Sequence, residues 1–161
     1  MKKIALSSLL LFVTLFTMSQ VPKGNFKSGA GLSLAIPASN LDISSVGGGI
    51  DILVQYGLTE KIAITADAGF TGLPGKGKYP STAIVPIRLG ARFFPLTKVY
   101  LAAKAGIGIY TILKASANYT AFSASMGYLV LPKLDAAAYY DGYTNSNSTF
   151  GIAGLRIGYQ F

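Results

Sequence analysis

The sequence predicts an all-β protein: an eight-stranded antiparallel, up-and-down transmembrane β-barrel that follows a cleaved signal peptide. Apolar residues alternate with small or polar residues in eight segments of 9–13 residues, and a tilted strand needs roughly 9–11 residues to cross hydrocarbon. The charges within these segments all lie on one face of the alternation. The connections alternate between short and long, as they do in transmembrane barrels.

Residues 1–19 are predicted to be a signal peptide. Lys2 and Lys3 precede the apolar run IALSSLLLFVTLFTM, and Ser19 and Gln20 follow it as the predicted cleavage zone. An uncleaved membrane anchor is the alternative, but a spanning helix needs roughly 20 apolar residues, more than this run has. Residues 20–27 are then a short periplasmic segment, and residues 28–161 form the barrel.

The eight predicted strands are bounded by clusters of Gly, Pro, Asn and Ser. In chain order they are residues 28–36, 46–56, 62–70, 84–94, 99–111, 121–131, 134–143 and 150–161. Segment 121–131 is less regular, because Leu129 and Leu131 stand opposite its apolar face. Leu53 is a similar exception in the second strand.

The direction of the two faces follows from their composition. A soluble barrel or sandwich would bury the apolar face and expose the other. Here the other face holds 11 of the 19 glycines, which suits the narrow interior that eight strands enclose. The apolar face carries no charge, as a lipid-exposed surface requires. The glycine-rich, charged face is therefore predicted to line the lumen.

The connections predict the orientation of the barrel. Three joins are short, with the sequences GLTEK, PLTK and PK, whereas the other four are PASNLDISS, TGLPGKGKYPSTA, ILKASANYT and TNSNST. Both termini and the short turns are expected on the periplasmic side, with the longer loops extracellular. Pro86 cannot donate a ladder hydrogen bond, so it is expected near the extracellular rim, at a bulge or before regular pairing begins.

The segments VPIRLGARFFPLTKVYLAAKAGIGIY (85–110) and GLRIGYQF (154–161) resemble small outer-membrane β-barrel proteins of the OmpA/OmpX type. The resemblance covers residues 28–161 and is closest to the porin-like "outer membrane protein beta-barrel domain" family. In that family the barrel-assembly machinery reads an aromatic-ended last strand. Tyr159 and Phe161 match this assembly signal, whereas Arg156 stands where the commoner version has glycine. The resemblance implies an outer-membrane location.

Eight charged residues are predicted to form a lumen network: Asp51, Asp67, Arg88, Arg92, Lys104, Asp135, Asp141 and Arg156. Adjacent strands are expected to pair Asp67 with Arg88 or Arg92, and Asp135 or Asp141 with Arg156. Charges at membrane depth are costly unless they are paired. The favoured interpretation is a plug of ion pairs, and the alternative is an ion path or gate.

Enzymatic and cofactor-dependent functions are not predicted. The sequence has no cysteine and no histidine, which removes thiolate metal sites and the commonest general base. No phosphate-binding loop motif occurs, so we expect no cofactor and no metal. The net charge of +8 comes from scattered residues and predicts no nucleic-acid partner.

Surface interaction is the remaining prediction. Loops on a rigid scaffold often carry recognition, so Lys76, Lys78 and Lys114 are predicted to contact lipopolysaccharide phosphates, with a solvated rim as the alternative. The partners expected are outer-membrane lipid, lipopolysaccharide and, during insertion, the barrel-assembly machinery. The sequence thus predicts a monomeric, non-enzymatic protein for envelope integrity or loop-mediated surface interaction. A small porin-like channel is the alternative, and a soluble lipid-binding barrel is the third interpretation.

Overall fold

The computed structural model describes residues 23–113 and 115–161, and eight strands make up most of them. The strands are β1 (Phe26–Ser39), β2 (Gly47–Gly57), β3 (Ile62–Leu73), β4 (Thr82–Phe93), β5 (Val99–Ile112), β6 (Ala115–Leu131), β7 (Leu134–Thr144) and β8 (Thr149–Gln160). Each strand pairs antiparallel with the next, and β8 pairs with β1. The predicted eight-stranded, antiparallel, up-and-down barrel is confirmed. The signal peptide at residues 1–19 lies outside the described residues.

The two ends of the barrel differ in their connections. One end, called the turn end below, carries the connections 58–61, 94–98 and 132–133 together with residues 23–25 and 161. The other, called the loop end, carries the connections 40–46, 74–81, 113–114 and 145–148. No helix in the part of the chain described here is long and apolar enough to span a membrane.

The outer face of the barrel is apolar. Leu32, Ile52 and Leu89 are each 67% exposed on it, and none of the charged residues in the described strands falls on this face. A surface of this kind is stable against lipid and would be costly against water. The barrel is therefore of the transmembrane type, with the polar face turned inward, as the sequence predicts. Leu53 points inward and is buried, as its position in the alternation predicts.

The predicted loop 112–120 is wrong. Strands β5 and β6 continue through most of it: Thr111 pairs with Ser116, β5 ends at Ile112 and β6 begins at Ala115. The two side-chain hydroxyls lie 3.0 Å apart. This hairpin is polar because it extends toward the loop end of the barrel, and a polar composition alone does not distinguish such a strand from a loop. Connections 40–46 and 74–81 are therefore the loop-end connections that are longer than every connection at the turn end.

Two local irregularities also differ from the sequence-based expectation. A register shift between Leu129 and Leu131 turns Leu131 outward, where it is 58% exposed beside Val130. Pro86 lies within β4, opposite Gly108 of β5, and not at the rim. The ladder between β3 and β4 is interrupted at this level, because proline has no N–H to donate.

Apolar side chains fill both ends of the lumen. The loop-end cluster is built on buried residues that include Leu73, Ile84, Tyr143, Phe150 and Ile152, with Tyr110, Tyr119 and Tyr139 packed against them. The turn-end cluster contains Phe94, Tyr100, Ala102, Leu129 and Ala137. The charged residues of the lumen lie between these two clusters.

Candidate functional site

Arg88 is the centre of one group of ion pairs in the lumen. It stands opposite Asp67 in the register of β3 and β4, and its Nη2 donates to Asp67 Oδ2 at 2.7 Å. Its Nη1 lies 2.7 Å from Asp141 Oδ2 of β7, a close ion-pair contact that lacks hydrogen-bond alignment. Lys104 Nζ reaches Asp67 Oδ1 at 3.4 Å. One guanidinium therefore links carboxylates on two walls of the barrel.

Arg156 is the centre of a second group. Its Nη2 donates to Asp51 Oδ2 at 2.6 Å and its Nη1 to Asp135 Oδ1 at 3.0 Å. Asp135 also accepts hydrogen bonds from the Tyr100 hydroxyl at 3.1 Å and from Gln160 Nε2 at 3.4 Å. Of the two partners predicted for Arg156, the structure brings it to Asp135, while Asp141 pairs with Arg88. Asp51 is a partner that the sequence-based pairing did not include.

Arg92 is placed differently from the other lumen cations. The residue is 3% exposed, and its guanidinium carbon lies 3.9 Å from the centre of the Tyr100 ring, a cation–π arrangement. Asp67 takes Arg88 and not Arg92. Among the described residues, Arg92 Nε and Nη1 have no hydrogen-bond acceptor.

A small cavity lies among these charges. Its volume is about 40 Å³, and Asp67, Arg88, Arg92, Lys104 and Arg156 are among the residues that line it. On the loop side, Phe150 packs against three tyrosines, with ring centres 5.0 Å from Tyr119, 5.0 Å from Tyr143 and 5.2 Å from Tyr110. The interior is thus filled by aromatic and charged side chains around a space of roughly one or two water molecules.

The loop-end cluster is the feature of the lumen that sequence reasoning missed. Phe150 and Ile152 lie at the start of β8, and Ile84 lies near the start of β4. Each is an even number of residues from the charged lumen residue of its strand, which is Arg156 in β8 and Arg88 in β4, and therefore lies on the same face of that strand. Extending the alternation to the strand ends would have placed them inside.

The two longest loop-end connections are joined to each other. Ser44 and Gly75 form a β-bridge, Ser45 N–H donates to Pro74 O at 2.7 Å, and Lys76 N–H donates to Ile43 O at 2.8 Å. A Cβ at position 75 would lie 2.0 Å from Tyr79 O, so this path requires glycine. Lys76 and Lys78 are exposed on this joined structure. Lys114, the third predicted contact, lies outside the described residues.

Tyr159 and Phe161, the predicted assembly signal, lie on the outer face at the turn end. They are 47% and 68% exposed, and their ring centres are 5.7 Å apart. The backbone N–H of Phe161 donates to Ser28 O at 2.9 Å. The two rings therefore lie on the lipid-facing surface. The backbone of Phe161 also extends the pairing between β8 and β1.

Within residues 23–113 and 115–161, no group of three or more His, Cys, Asp and Glu side chains could hold a metal ion. The four lumen carboxylates are each bonded to a cation of the barrel.

The fold is that of solved outer-membrane barrels. The attachment invasion locus protein Ail of Yersinia pestis is 14% identical, with a TM-score of 0.65 over 86% of this chain and 99% of Ail. Neisserial surface protein A is 18% identical, with a TM-score of 0.63 over 84% of this chain and 97% of that one. The N-terminal barrel domain of Pseudomonas aeruginosa OprF is 13% identical, with a TM-score of 0.55 over 83% and 97% of the two chains.

No protein-family model matches the chain, and no curated protein sequence matches it. The resemblance to the OmpA/OmpX type therefore rests on the fold. Ail has also been solved in complex with the heparin analogue sucrose octasulfate.

Proposed function

We propose that this chain, which has the fold of the small outer-membrane barrels, is a non-enzymatic outer-membrane protein whose loop end binds anionic glycolipid at the cell surface. The barrel serves as a rigid, closed scaffold for that end. The ligand group is the phosphate of lipopolysaccharide, and Lys76 and Lys78 are its contacts.

The observation that carries this proposal is the bridge between the two long connections. Two backbone hydrogen bonds, which form the bridge between Ser44 and Gly75, hold connection 74–81 against connection 40–46, so the two lysines project from an ordered surface. A preorganised cation loses less conformational entropy when it binds than one on a free loop. Asp42 is the acidic residue of connections 40–46 and 74–81, which therefore keep a net positive charge.

The comparison with Ail supports the same class of ligand. Sucrose octasulfate, which Ail binds in one solved structure, is a polyanionic sugar, and the phosphorylated sugars of lipopolysaccharide share this character. Lysine binds phosphate as a point charge, so the contact does not require a shaped pocket. Its strength should fall as salt is added.

The test is binding of purified lipopolysaccharide to the folded barrel in neutral detergent, followed by titration calorimetry. The double variant K76A/K78A should weaken binding by about 5- to 30-fold, if each exposed charge contributes about 0.5–1 kcal/mol. The matched control is K61A/K133A, which removes two exposed lysines from the turn end. Equal affinity of the wild type and K76A/K78A would overturn the proposal.

The closed scaffold is supported by the filling of the lumen. The charged residues are joined across the barrel, the cavity among them is about 40 Å³, and the loop-end cluster fills the lumen on the loop side. A small porin-like channel would instead need a continuous water path. Single-channel recording in a planar bilayer separates the two: we expect no unit conductance, and a reproducible conductance would favour the channel.

The orientation proposed is periplasmic for the turn end and extracellular for the loop end, with the signal peptide cleaved near residue 19. The sequence lacks cysteine, so K78C and K133C each introduce a single thiol. A membrane-impermeant thiol reagent should label K78C and not K133C in intact cells. The reverse pattern would show the opposite orientation, and labelling of neither variant together with recovery of the protein in the soluble fraction would favour a soluble lipid-binding barrel.

A further inference from the structure

Arg92 presents a buried positive charge that the barrel leaves without a carboxylate. It is 3% exposed, and it stacks on Tyr100. Its Nε and Nη1 have no acceptor within the described chain. A buried guanidinium in this position is costly unless a negative charge lies close to it.

The ion pairs around the cavity leave Arg92 out. Four cations line it, namely Arg88, Arg92, Lys104 and Arg156, against three carboxylates, namely Asp51, Asp67 and Asp141. Each of those carboxylates already pairs with Arg88, Lys104 or Arg156. Arg92 is therefore the cation of this lining that none of its carboxylates contacts.

The fourth lumen carboxylate is also taken by other groups. Asp135 brings the lumen to four carboxylates against four cations, but its oxygens accept hydrogen bonds from Arg156, the Tyr100 hydroxyl and Gln160. Tyr100 thus has two roles: its ring lies against Arg92, and its hydroxyl binds Asp135. A negative partner in direct contact with Arg92 would have to come from outside the described chain.

The cavity limits what that charge can be. Its volume of about 40 Å³ exceeds the roughly 30 Å³ that one water molecule occupies in the liquid, and a halide ion is of similar size. Phosphate, sulfate and carboxylate ligands have several heavy atoms and are too large. The side chains of Ser123 and Ser125 also line the space and bring hydroxyl groups to it.

We propose that the lumen contains a binding site for one halide-sized anion, chloride under ordinary conditions, held by Arg92 against Tyr100. The anion accepts hydrogen bonds from the two unpartnered N–H groups and gives Arg92 the direct negative partner that the carboxylates of the lumen do not supply. A water molecule in the same space would satisfy the N–H groups but would leave Arg92 without that partner. A single site of this size stabilises the folded barrel and does not imply conduction.

Bromide provides the direct test, because it replaces chloride and scatters anomalously. Crystals of the folded barrel grown with sodium bromide should show one anomalous peak within hydrogen-bond distance of the Arg92 guanidinium. Water in the cavity with no anomalous peak there would overturn the proposal. This measurement uses the wild type and does not depend on the folding of any variant.

Thermal unfolding in detergent gives a second readout. The midpoint should be higher in chloride than in gluconate at equal ionic strength, and the difference should saturate as chloride replaces gluconate. R92M should abolish the difference, whereas K133M, which removes an exposed turn-end lysine, should retain it. A chloride effect of equal size in R92M would also overturn the proposal.

Discussion

Arg88 and Asp67 occupy directly opposed positions on adjacent strands, and Arg88 Nη2 and Nε lie 2.7 and 3.2 Å from Asp67 Oδ2. The same guanidinium contacts Asp141 on β7. The side chains of Asp67 and Asp141 are 1% and 10% exposed, so water compensates little of their charge. Arg88 thus connects β4 not only to its neighbour β3 but also to β7, which is not adjacent to it in the sheet.

R88M should destabilise the barrel, because it leaves Asp67 and Asp141 as buried charges with insufficient compensation. Removal of one partner from a buried pair costs about 3–5 kcal/mol, and we expect a loss of this size in urea unfolding from lipid vesicles. The double variant R88M/D67N should recover part of the loss. A stability for R88M within error of the wild type would contradict the pairing.

Substitution of Arg156 by lysine should be only partly tolerated. The guanidinium uses Nη2 for Asp51 and Nη1 for Asp135, and a single ammonium group cannot reproduce that fork. We expect R156K to lose about 1–3 kcal/mol of the free energy of unfolding, as for a charge-assisted hydrogen bond, and R156M to lose more. Equal effects of the two substitutions would mean that the positive charge itself contributes little.

Gly106 and Gly142 predict losses of stability of different size when a methyl group is added. A Cβ at Gly106 would lie 2.1 Å from the backbone oxygen of Ile87, whereas a Cβ at Gly142 would meet the ring of Phe122. Phe122 is 44% exposed on the outer face and can rotate away, but the backbone cannot. G106A should therefore cost about 1–3 kcal/mol by overpacking, and G142A less than about 1 kcal/mol.

The comparison of G106A with G142A uses the same unfolding assay, and each variant serves as the control for the other. A smaller loss for G106A than for G142A would show that the strands can shift at Gly106 to accommodate the side chain.

F161A should slow insertion into the outer membrane without affecting export. Its aromatic ring is part of the predicted assembly signal, and its loss removes little packing because the residue is 68% exposed. Pulse-chase analysis of heat-modifiable gel migration measures insertion, and signal-peptide cleavage measures export. L96A is the matched control: Leu96 is 64% exposed at the same end but lies outside the last strand. Equal insertion rates for both variants would argue against the signal.

The barrel could be predicted from the sequence because alternation within the membrane leaves little freedom. Charged side chains are costly on the lipid-facing surface, and the narrow lumen favours small side chains or charged side chains that form ion pairs. The positions of Arg88, Arg156 and the four carboxylates follow from that rule. Their partners across the lumen, such as Asp141 for Arg88, depend on the curvature of the closed sheet and are not encoded in strand order.

The errors lie where the membrane no longer constrains composition. At Thr111 and Ser116 the paired strands are as polar as a loop, so composition does not distinguish this hairpin from a loop. At Leu131 the register shift moves the side chain to the other face, and such a bulge has no signature in the sequence. At Phe150 a large apolar side chain is accepted in the lumen, because the loop end lies beyond the layer of ion pairs.

Because β8 pairs with β1, with Gln160 opposite Gly29, the hydrogen-bonded ladder is a ring and has no first strand. The backbone could be cut at the turn 132–133 and rejoined by a short linker between residues 161 and 26, and every strand would keep its two neighbours. In such a circular permutant the segment 150–161 would still close the same seam while lying in the interior of the polypeptide. Closure of the ring at this seam and the predicted reading of Tyr159 and Phe161 as an assembly signal would thereby become separate properties.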